Sequence, residues 1–386
     1  MLKRGFKDCF IGMFTYIAYV IGAGIFGMPY VVSKIGFLYG AVLIIVMGIA
    51  VLITHLMIGE MALSCKGNHQ LVGYCKKYLG NKWKWLMFFN VAIWVYGALI
   101  AYLTGISSIL SSVFGGSDLI YGLITFFILS LLVYAGIKIF EEVEVLFTFL
   151  MFLVLLAISL MGIFKLNFSN ITYLNPSNLP LLNLVFLPYG VILFALLGES
   201  AIPTMRDELK KHEIFLKESI IIGGISVIVI YLLFTLGVVG VTGLNTTQIA
   251  TVGLNQSLGK WSWLFGNLFA IFAMSTSFLA LGFALKNTYY EDLKIGKNIS
   301  WGLVCVIALI LYLFARGNVG FTQILGITGA ITGGISGSIL VYMHTKCRYN
   351  KERKPEYRIK PSILIHGLLF LMYFAGIAYT IWDFIF

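Results

Sequence analysis

Long runs of apolar residues, separated by short polar stretches, divide this chain of 386 residues. A helix needs about 20 apolar residues to cross about 30 Å of hydrocarbon, and eleven runs meet that length. The predicted spans are 9–33, 37–63, 85–113, 119–137, 145–164, 183–204, 219–242, 261–285, 299–315, 321–344 and 363–385. A β-barrel would require alternating strands of about ten residues. The pattern therefore predicts an all-α polytopic membrane protein with 11 transmembrane helices.

Composition supports this prediction, because 60% of the residues are hydrophobic and only 11% are charged, against about 25% charged in soluble domains. The net charge of +11 could indicate nucleic acid, so the position of the charges matters. With the N-terminus in the cytoplasm, the predicted loops leave only four basic residues outside: Lys34, Lys165, Lys260 and Arg316. This positive-inside bias predicts a multi-pass plasma-membrane protein with an extracytoplasmic C-terminus. The expected partner is the lipid bilayer, with no nucleic acid and no obligate protein partner.

Two predicted spans interrupt the uniform apolar pattern. The first contains Gly22-Ala-Gly-Ile-Phe-Gly-Met-Pro29, and the sixth contains Gly198-Glu-Ser-Ala-Ile-Pro203. Both hold a Gly-x-x-x-x-Pro motif in corresponding positions, and five spans per half would make the second half enter from the opposite side. The predicted organisation is therefore a 5+5 inverted repeat, with halves 1–164 and 165–345, followed by a cytoplasmic loop and one extra helix in 346–386.

A helix that breaks inside the membrane exposes backbone amides at one new end and carbonyls at the other. Irregular backbone at this depth is tolerated only inside the protein or beside a cavity. The amides suit a carboxylate, and the carbonyls suit an ammonium group or a cation. A zwitterionic amino acid carries both charges. The alternative interpretation is that both motifs are proline kinks and glycine packing positions.

Acidic residues within the spans supply the candidate chemistry. Glu199 lies in the second interruption, where an ionised carboxylate costs at least about 2.5–3.5 kcal/mol, and no spanning Lys or Arg is available to pair with it. It either titrates during transport, contacts the substrate amine, or is a protonated structural residue bonded to the broken backbone. Glu60 is interpreted as a residue that snorkels or pairs with a loop lysine, and His55 as a hydrogen-bonded packing residue.

Four stretches together resemble the amino acid–polyamine–organocation superfamily, which has the leucine-transporter-like fold. They are Gly22-Ala-Gly-Ile-Phe-Gly-Met-Pro-Tyr30, Gly-Ala-Leu-Ile-Ala-Tyr102, Leu-Leu-Gly-Glu-Ser-Ala-Ile-Pro203 and Ser-Thr-Ser-Phe-Leu279. The similarity is greatest to the amino acid/auxin permease and hydroxy/aromatic amino acid permease branches. It implies an amino acid bound between broken spans 1 and 6, flanked by spans 3 and 8.

The resemblance also implies roles for individual residues. The implied substrate-binding residues are Ile21, Gly22, Ala23, Gly24, Ile25, Tyr102, Phe194, Gly198 and Glu199. The implied sodium ligands are Ala18, Ile21, Ala273, Thr276 and Ser277, although the hydroxyls in this set can also bond back to their own helix. Proton-driven relatives can fill this site with a fifth-span lysine, which is missing here, whereas a Glu at position 199 recurs in proton-coupled members. The coupling ion is therefore left open as sodium or a proton, with no other cofactor.

These observations predict a secondary active transporter of amino acids that works by alternating access, and not an enzyme. The alternative is a channel or facilitator for a small solute, which would show a continuous polar lining or filter loops. The candidate residues for shaping or gating the cavity are the aromatics Tyr19, Trp94, Tyr96, Tyr102 and Phe194. Because aromatic residues are plentiful in this chain, contact with lipid or packing between helices is the favoured role for each of them.

Overall fold

A computed structural model describes residues 2–135, 140–175, 177–209, 212–349, 352–360 and 362–385. Every regular element in these ranges is helical, as the apolar runs predict. The α-helices are α1 (Leu2–Val20), α2 (Gly24–Ile35), α3 (Phe37–Leu63), α4 (Leu71–Leu79), α5 (Asn81–Phe114), α6 (Asp118–Ala135), α7 (Phe140–Phe164), α8 (Phe168–Thr172), α9 (Leu181–Leu196), α10 (Ala201–Glu208), α11 (Leu216–Thr242), α12 (Asn255–Leu258), α13 (Lys260–Asn287), α14 (Lys297–Ala315), α15 (Phe321–Thr328), α16 (Gly334–Cys347) and α17 (Ile363–Ile385).

The described helices confirm a multi-pass membrane protein. Among the described residues, nine helical segments are long and apolar enough to cross a bilayer, and α1 with α2 forms a tenth that is bent by 63°. Of α7, only Phe152–Phe164 enters this count, and that part alone is too short to qualify. The count of eleven spans, the inverted repeat and its boundaries therefore stay predictions. The predicted orientation also stays a prediction, and four of its cytoplasmic basic residues lie outside the described residues: Lys138, Lys210, Lys211 and Lys351.

The core forms where α2 meets α11 and α13. Phe26 of α2 is fully buried, and its ring centroid lies 6.3 Å from the centroids of both Phe234 and Phe269. Rings at this separation are in the range of favourable aromatic contacts. Beside them, the Ala250 amide donates to the Phe26 carbonyl at 2.9 Å. The second half of the first span is therefore held rigidly against its neighbours.

Small residues let α9 approach the tenth span closely. That span consists of α15, a π-helical segment at Gly329–Gly333 and α16. A Cβ built on Gly190 would lie 2.0 Å from the Gly326 carbonyl oxygen, and one on Gly329 would lie 2.7 Å from the Phe194 amide nitrogen. Such contacts are typical of helix interfaces in membranes. The widened π segment exposes carbonyls, and Asn90 donates to one of them, that of Thr332, at 2.9 Å.

Ion pairs join the segment after α16 to the end of the bundle where α10 finishes. Glu213 pairs with Arg206 at 3.0 Å and with Arg353 at 2.5 Å. Lys77 of α4 pairs with Glu352 at 2.6 Å. This hydrogen bond from the Lys77 ammonium holds the pKa of Glu352 below its ordinary value, so the pair stays charged at neutral pH. The polar segment 352–360 is therefore tied to α4 and α10.

The last helix, α17, is integrated into the bundle by specific side-chain contacts. The hydroxyls of Tyr373 and Thr54 lie 3.0 Å apart, which joins α17 to α3. The rings of Tyr379 and Phe186 stack with centroids 4.4 Å apart and an interplanar angle of 11°, which joins α17 to α9. Helix α17 therefore supports α9, the helix that precedes the second interruption.

Candidate functional site

The first span is interrupted as its glycines predict. Helix α1 ends at Val20 and α2 begins at Gly24. Among the described residues, no backbone carbonyl accepts a hydrogen bond from the amides of Gly22, Ala23 or Gly24. A Cβ built on Gly22 would meet no atom within 4 Å. Among the described residues, the break therefore leaves three N–H groups without a backbone acceptor, with open space next to Gly22 and with Ala23 and Gly24 buried.

The sixth span is interrupted in the same way. Helix α9 ends at Leu196 and α10 begins at Ala201. Within the described ranges, the amides of Gly198, Glu199 and Ser200 also lack a backbone acceptor. Unsatisfied amides are costly in a lipid environment, so both breaks require water or a ligand. The prediction of two broken helices is confirmed.

The two breaks lie against each other, and two glycines make this approach possible. A Cβ on Gly24 would lie 2.6 Å from the Cα of Ala195, and one on Gly198 would lie 2.3 Å from a methyl carbon of Val20. Both distances are far below van der Waals contact. The structure therefore brings Gly22, Gly24 and Gly198 to one place, as the resemblance implies.

A tyrosine that the sequence analysis did not identify joins the two broken spans. The hydroxyl oxygen of Tyr231 in α11 lies 2.6 Å from the Ala195 carbonyl oxygen and 3.1 Å from that of Val20. These carbonyls lie where α9 and α1 end and lack the amide of a following helical turn. One O–H group thus donates a shared hydrogen bond to both. Tyr231 is fully buried, so it fixes the geometry of the site.

Glu199 has a hydroxyl partner on the tenth span. The Ser336 hydroxyl donates to Glu199 Oε1 at 2.7 Å. Within the described part of the chain, no Lys or Arg forms an ion pair with Glu199, which agrees with the sequence analysis. Glu199 and Gly198 are both half-buried. The carboxyl group therefore stays next to the second break with acceptor capacity left for a proton or an amine.

Some of the candidate aromatic residues contact the site, and others do not. The rings of Trp94 and Phe194 lie 6.2 Å apart, and Trp94 Nε1 is buried without a partner among the described residues. Tyr19 is 49% exposed. The Tyr96 hydroxyl bonds the Tyr289 hydroxyl and the Leu303 carbonyl. Tyr96 therefore packs against the segment that follows α13 and against α14, which agrees with the packing alternative.

The implied sodium ligands are distributed over two helices. Thr276 donates to the Ala273 carbonyl at 3.0 Å, which is the back-bonding alternative. Ser277 interacts with the hydroxyl of Tyr102, which is buried in α5. Ala18, Ala273, Thr276 and Ser277 are half-buried, and Ile21 and Ile25 are buried. The oxygen atoms can still accept a cation, so this site stays a prediction.

A second acidic group has partners that the sequence analysis did not find. Glu60 is 1% exposed, and its Oε2 lies 3.0 Å from His344 Nε2 and 2.8 Å from the Ile359 amide nitrogen. His344 is fully buried, and its Nδ1 lies 3.0 Å from His366 Nε2. The expectation that Glu60 snorkels or pairs with a loop lysine was wrong. The sequence did contain a signal for these contacts: Glu60, His344 and His366 all lie near the ends of predicted spans on the same side of the membrane.

His55 agrees with its interpretation as a packing residue. Its Nδ1 lies 2.6 Å from the Tyr16 hydroxyl, and the two rings form an edge-to-face contact with centroids 5.5 Å apart. His55 Nε2 is buried and has no partner among the described residues. The pair joins α1 to α3 and shares no hydrogen bond with the contacts between Glu60, His344 and His366.

We expect Tyr231→Phe to lower the free energy of unfolding by about 1–3 kcal/mol, because two carbonyls lose a buried donor. Amide hydrogen exchange in the purified protein should rise in peptides covering residues 18–26 and 195–202. The matched control is Tyr78→Phe, which removes a buried bond to the Met61 carbonyl of 2.8 Å far from the breaks. It should lower stability and leave exchange at both breaks unchanged. Equal exchange in the two variants would contradict this role.

Comparison with known proteins agrees with this geometry. The manganese transporter of Eremococcus coleocola, in complex with an aromatic bis-isothiourea substituted compound, is 15% identical with a TM-score of 0.66, covering 99% of this chain and 88% of that chain. A mutant of the same transporter is 13% identical with a TM-score of 0.64, covering 96% and 85%. At these identities the similarity shows the fold alone.

Sequence similarity is more specific. The tyrosine permease of Enterobacter agglomerans is 27% identical over 111 residues, which are 29% of this chain and only 27% of that permease. The profile of the tryptophan/tyrosine permease family matches residues 6–382. This membrane protein therefore belongs to the tryptophan/tyrosine permease family and is a transporter, not an enzyme.

Proposed function

We propose that this protein is a secondary active transporter of aromatic amino acids that works by alternating access. The observation that carries the proposal is the pair of broken helices, which meet with bare amides at Gly22, Ala23 and Gly24. The family and the tyrosine permease relative support an aromatic substrate. The expected movement rocks spans 1, 2, 6 and 7 against spans 3, 4, 8 and 9.

In this proposal the substrate lies between the two breaks. Its carboxylate accepts from the amides of the Gly22–Gly24 segment, at the N-terminal end of α2 where a negative charge is favoured. Its ammonium group contacts the carbonyl of Ile21 and the Glu199 carboxylate. Its aromatic ring packs against Trp94 and Phe194, because aromatic side chains favour offset or edge contacts with other rings. The unpartnered Trp94 Nε1 supplies a donor for a polar ring substituent.

Two coupling schemes remain within the proposal. In the first, Glu199 binds a proton in one conformation and releases it in the other. In the second, sodium binds to carbonyls of Ala18, Ile21 and Ala273 and to the hydroxyls of Thr276 and Ser277. The Ser336–Glu199 hydrogen bond of 2.7 Å favours the first, because it connects the carboxyl group to the tenth span.

The central test is uptake into proteoliposomes that contain the purified protein. Labelled tryptophan, tyrosine, phenylalanine, leucine and glutamate are compared, with sodium and proton gradients imposed separately. We expect saturable uptake and counterflow for the aromatic amino acids, with leucine and glutamate at least about tenfold weaker, a difference of about 1.4 kcal/mol. Non-saturable flux without counterflow would support the channel or facilitator alternative. Preference for a non-aromatic amino acid would contradict the proposed substrate class.

We expect Glu199→Gln to reduce gradient-driven uptake by about tenfold, equivalent to about 1.4 kcal/mol, and to flatten the pH dependence of uptake. The amide keeps the shape of the side chain and still accepts from Ser336, but it does not titrate. Counterflow, which needs no gradient, should persist. Ser336→Ala is the control, because it removes the hydroxyl partner while the carboxyl group still titrates. Uptake with the pH profile of the wild type in Glu199→Gln would exclude the coupling role.

The double substitution of Thr276→Ala with Ser277→Ala tests the sodium scheme. It removes both hydroxyl ligands of the implied site, so any sodium stimulation of uptake should disappear. Uptake is measured in proteoliposomes with sodium or potassium outside at constant pH. Ser275→Ala, which changes a neighbouring hydroxyl outside the implied set, is the matched control. Undiminished stimulation in the double variant would show that sodium binds elsewhere.

A further inference from the structure

Glu60, His344, His366 and Ser362 form a hydrogen-bonded chain with three bonds. An ionised carboxylate and two neutral imidazoles do not carry enough hydrogen atoms for all three. From Glu60 the chain passes to His344 and then to His366, whose Nδ1 lies 2.8 Å from the Ser362 carbonyl oxygen. That carbonyl can only accept, so His366 Nδ1 must carry a hydrogen atom. Each of the two remaining links also needs one hydrogen atom. Three hydrogen atoms are therefore required along the chain.

Two neutral imidazoles supply two hydrogen atoms, because each ring carries one. The third must be an additional proton. It can lie on Glu60, which then donates to His344 Nε2, with both rings neutral. It can also lie on the rings, which are then cationic opposite the Glu60 carboxylate. Both arrangements satisfy every bond and have the same total charge of zero. Without this proton, one of the three bonds must be absent.

The surroundings of the chain allow this proton to be bound and exchanged. His366 lines an open groove of about 910 Å³ between α16 and α17, next to Arg348 and Ser362, whereas Glu60 and His344 are buried. Of the three side chains, only that of His366 is half-buried and reaches this groove, so it is the one from which the proton can exchange.

Among the described residues, two other titratable groups face Glu60. The Arg348 guanidinium, directly after α16, donates to the Ile359 carbonyl at 2.7 Å and carries a fixed positive charge that weakens proton binding. The Tyr357 hydroxyl donates to the Leu56 carbonyl at 2.7 Å. Burial raises the pKa of Tyr357 well above its ordinary value, with Glu60 and Glu218 as further causes. Tyr357 therefore stays neutral and does not compete for the proton.

We propose that Glu60, His344 and His366 form a binding site for a single shared proton, and that this proton holds α17 and segment 352–360 against the end of α3. The chain links α3 to α16 and α17, and the Ile359 amide donates to the same Glu60 oxygen at 2.8 Å. Loss of the proton breaks one link between these elements. The proposal is independent of the substrate and of the coupling ion.

The pH dependence of stability follows from the proton count. At about pH 7.5–8.5 the unfolded chain carries an ionised Glu60 and mostly neutral histidines, since free histidine titrates near pH 6.5, so the folded chain binds one more proton. Stability must therefore fall as the pH rises, and it falls until the folded site releases its proton. A difference of one proton changes the unfolding equilibrium constant tenfold per pH unit. The measurement is thermal and denaturant unfolding of the purified full-length protein in a nonionic detergent at pH 5.5–9.

Glu60→Gln is the decisive variant, because the amide nitrogen can donate to His344 without an additional proton, while the Ile359 amide, which bonds the same Glu60 oxygen in the wild type, shifts to the amide oxygen. It should match the wild type at pH 6 and be more stable at pH 8.5, with an unfolding equilibrium constant lower than that of the wild type by up to about tenfold for each pH unit above 6. Above about pH 7.5 its stability should no longer depend on the pH through this site. A purely structural role for Glu60 would not produce a gain at high pH. His366→Gln removes the second ring and should lose stability at pH 6 with little change at pH 8.5.

The matched control is His55→Gln, another buried histidine of α3, whose ring bonds Tyr16 and lies outside the chain. It should retain the pH-dependent slope of the wild type whatever its stability. The proposal is overturned if Glu60→Gln keeps the slope of the wild type. It is also overturned if that variant is destabilised equally at every pH.

Discussion

The site depends on one constraint: a peptide group inside the membrane must have a hydrogen-bond partner. Where α1 and α9 end, the helical partners are lost. The Tyr231 hydroxyl replaces them for two carbonyls at once, those of Val20 and Ala195. The amides on the other side of each break receive no such replacement from the described residues. The protein therefore stabilises its broken helices on one side and leaves the other side free for a ligand.

Glycine has two different roles in this arrangement. Gly24 and Gly198 allow contacts that any side chain would prevent, because a Cβ on either would lie within 2.6 Å of the opposite span. Gly22 faces open space instead, and a Cβ there meets nothing within 4 Å. The first role brings the breaks together, and the second keeps their amides accessible. Gly22 and Gly24 therefore have different roles within one Gly-Ala-Gly motif.

The sequence predicts those parts of the site that are local in the chain. Glycine and proline mark where helices stop, so the breaks at Gly22 and Gly198 are visible without coordinates. Apolar runs of sufficient length also predict most of the spans. Tyr231, Ser336 and His344 were missed because each lies in a regular apolar helix, where only the three-dimensional packing shows which backbone or carboxyl group it meets. The same limit explains the wrong expectation for the partner of Glu60.

The position of α17 has a consequence for how the protein is made. His366 completes the chain from Glu60, Tyr373 bonds Thr54, and Tyr379 stacks on Phe186. Thr54 of α3 and Phe186 of α9 belong to helices that are synthesised long before α17, whereas the direct partner of His366 is His344 of the preceding helix α16. Until α17 has been synthesised, α3 and α9 lack these contacts, and the buried His344 lacks one of its two partners. Insertion of α17 is therefore the step that completes the polar contacts of Thr54 and His344 inside the bundle.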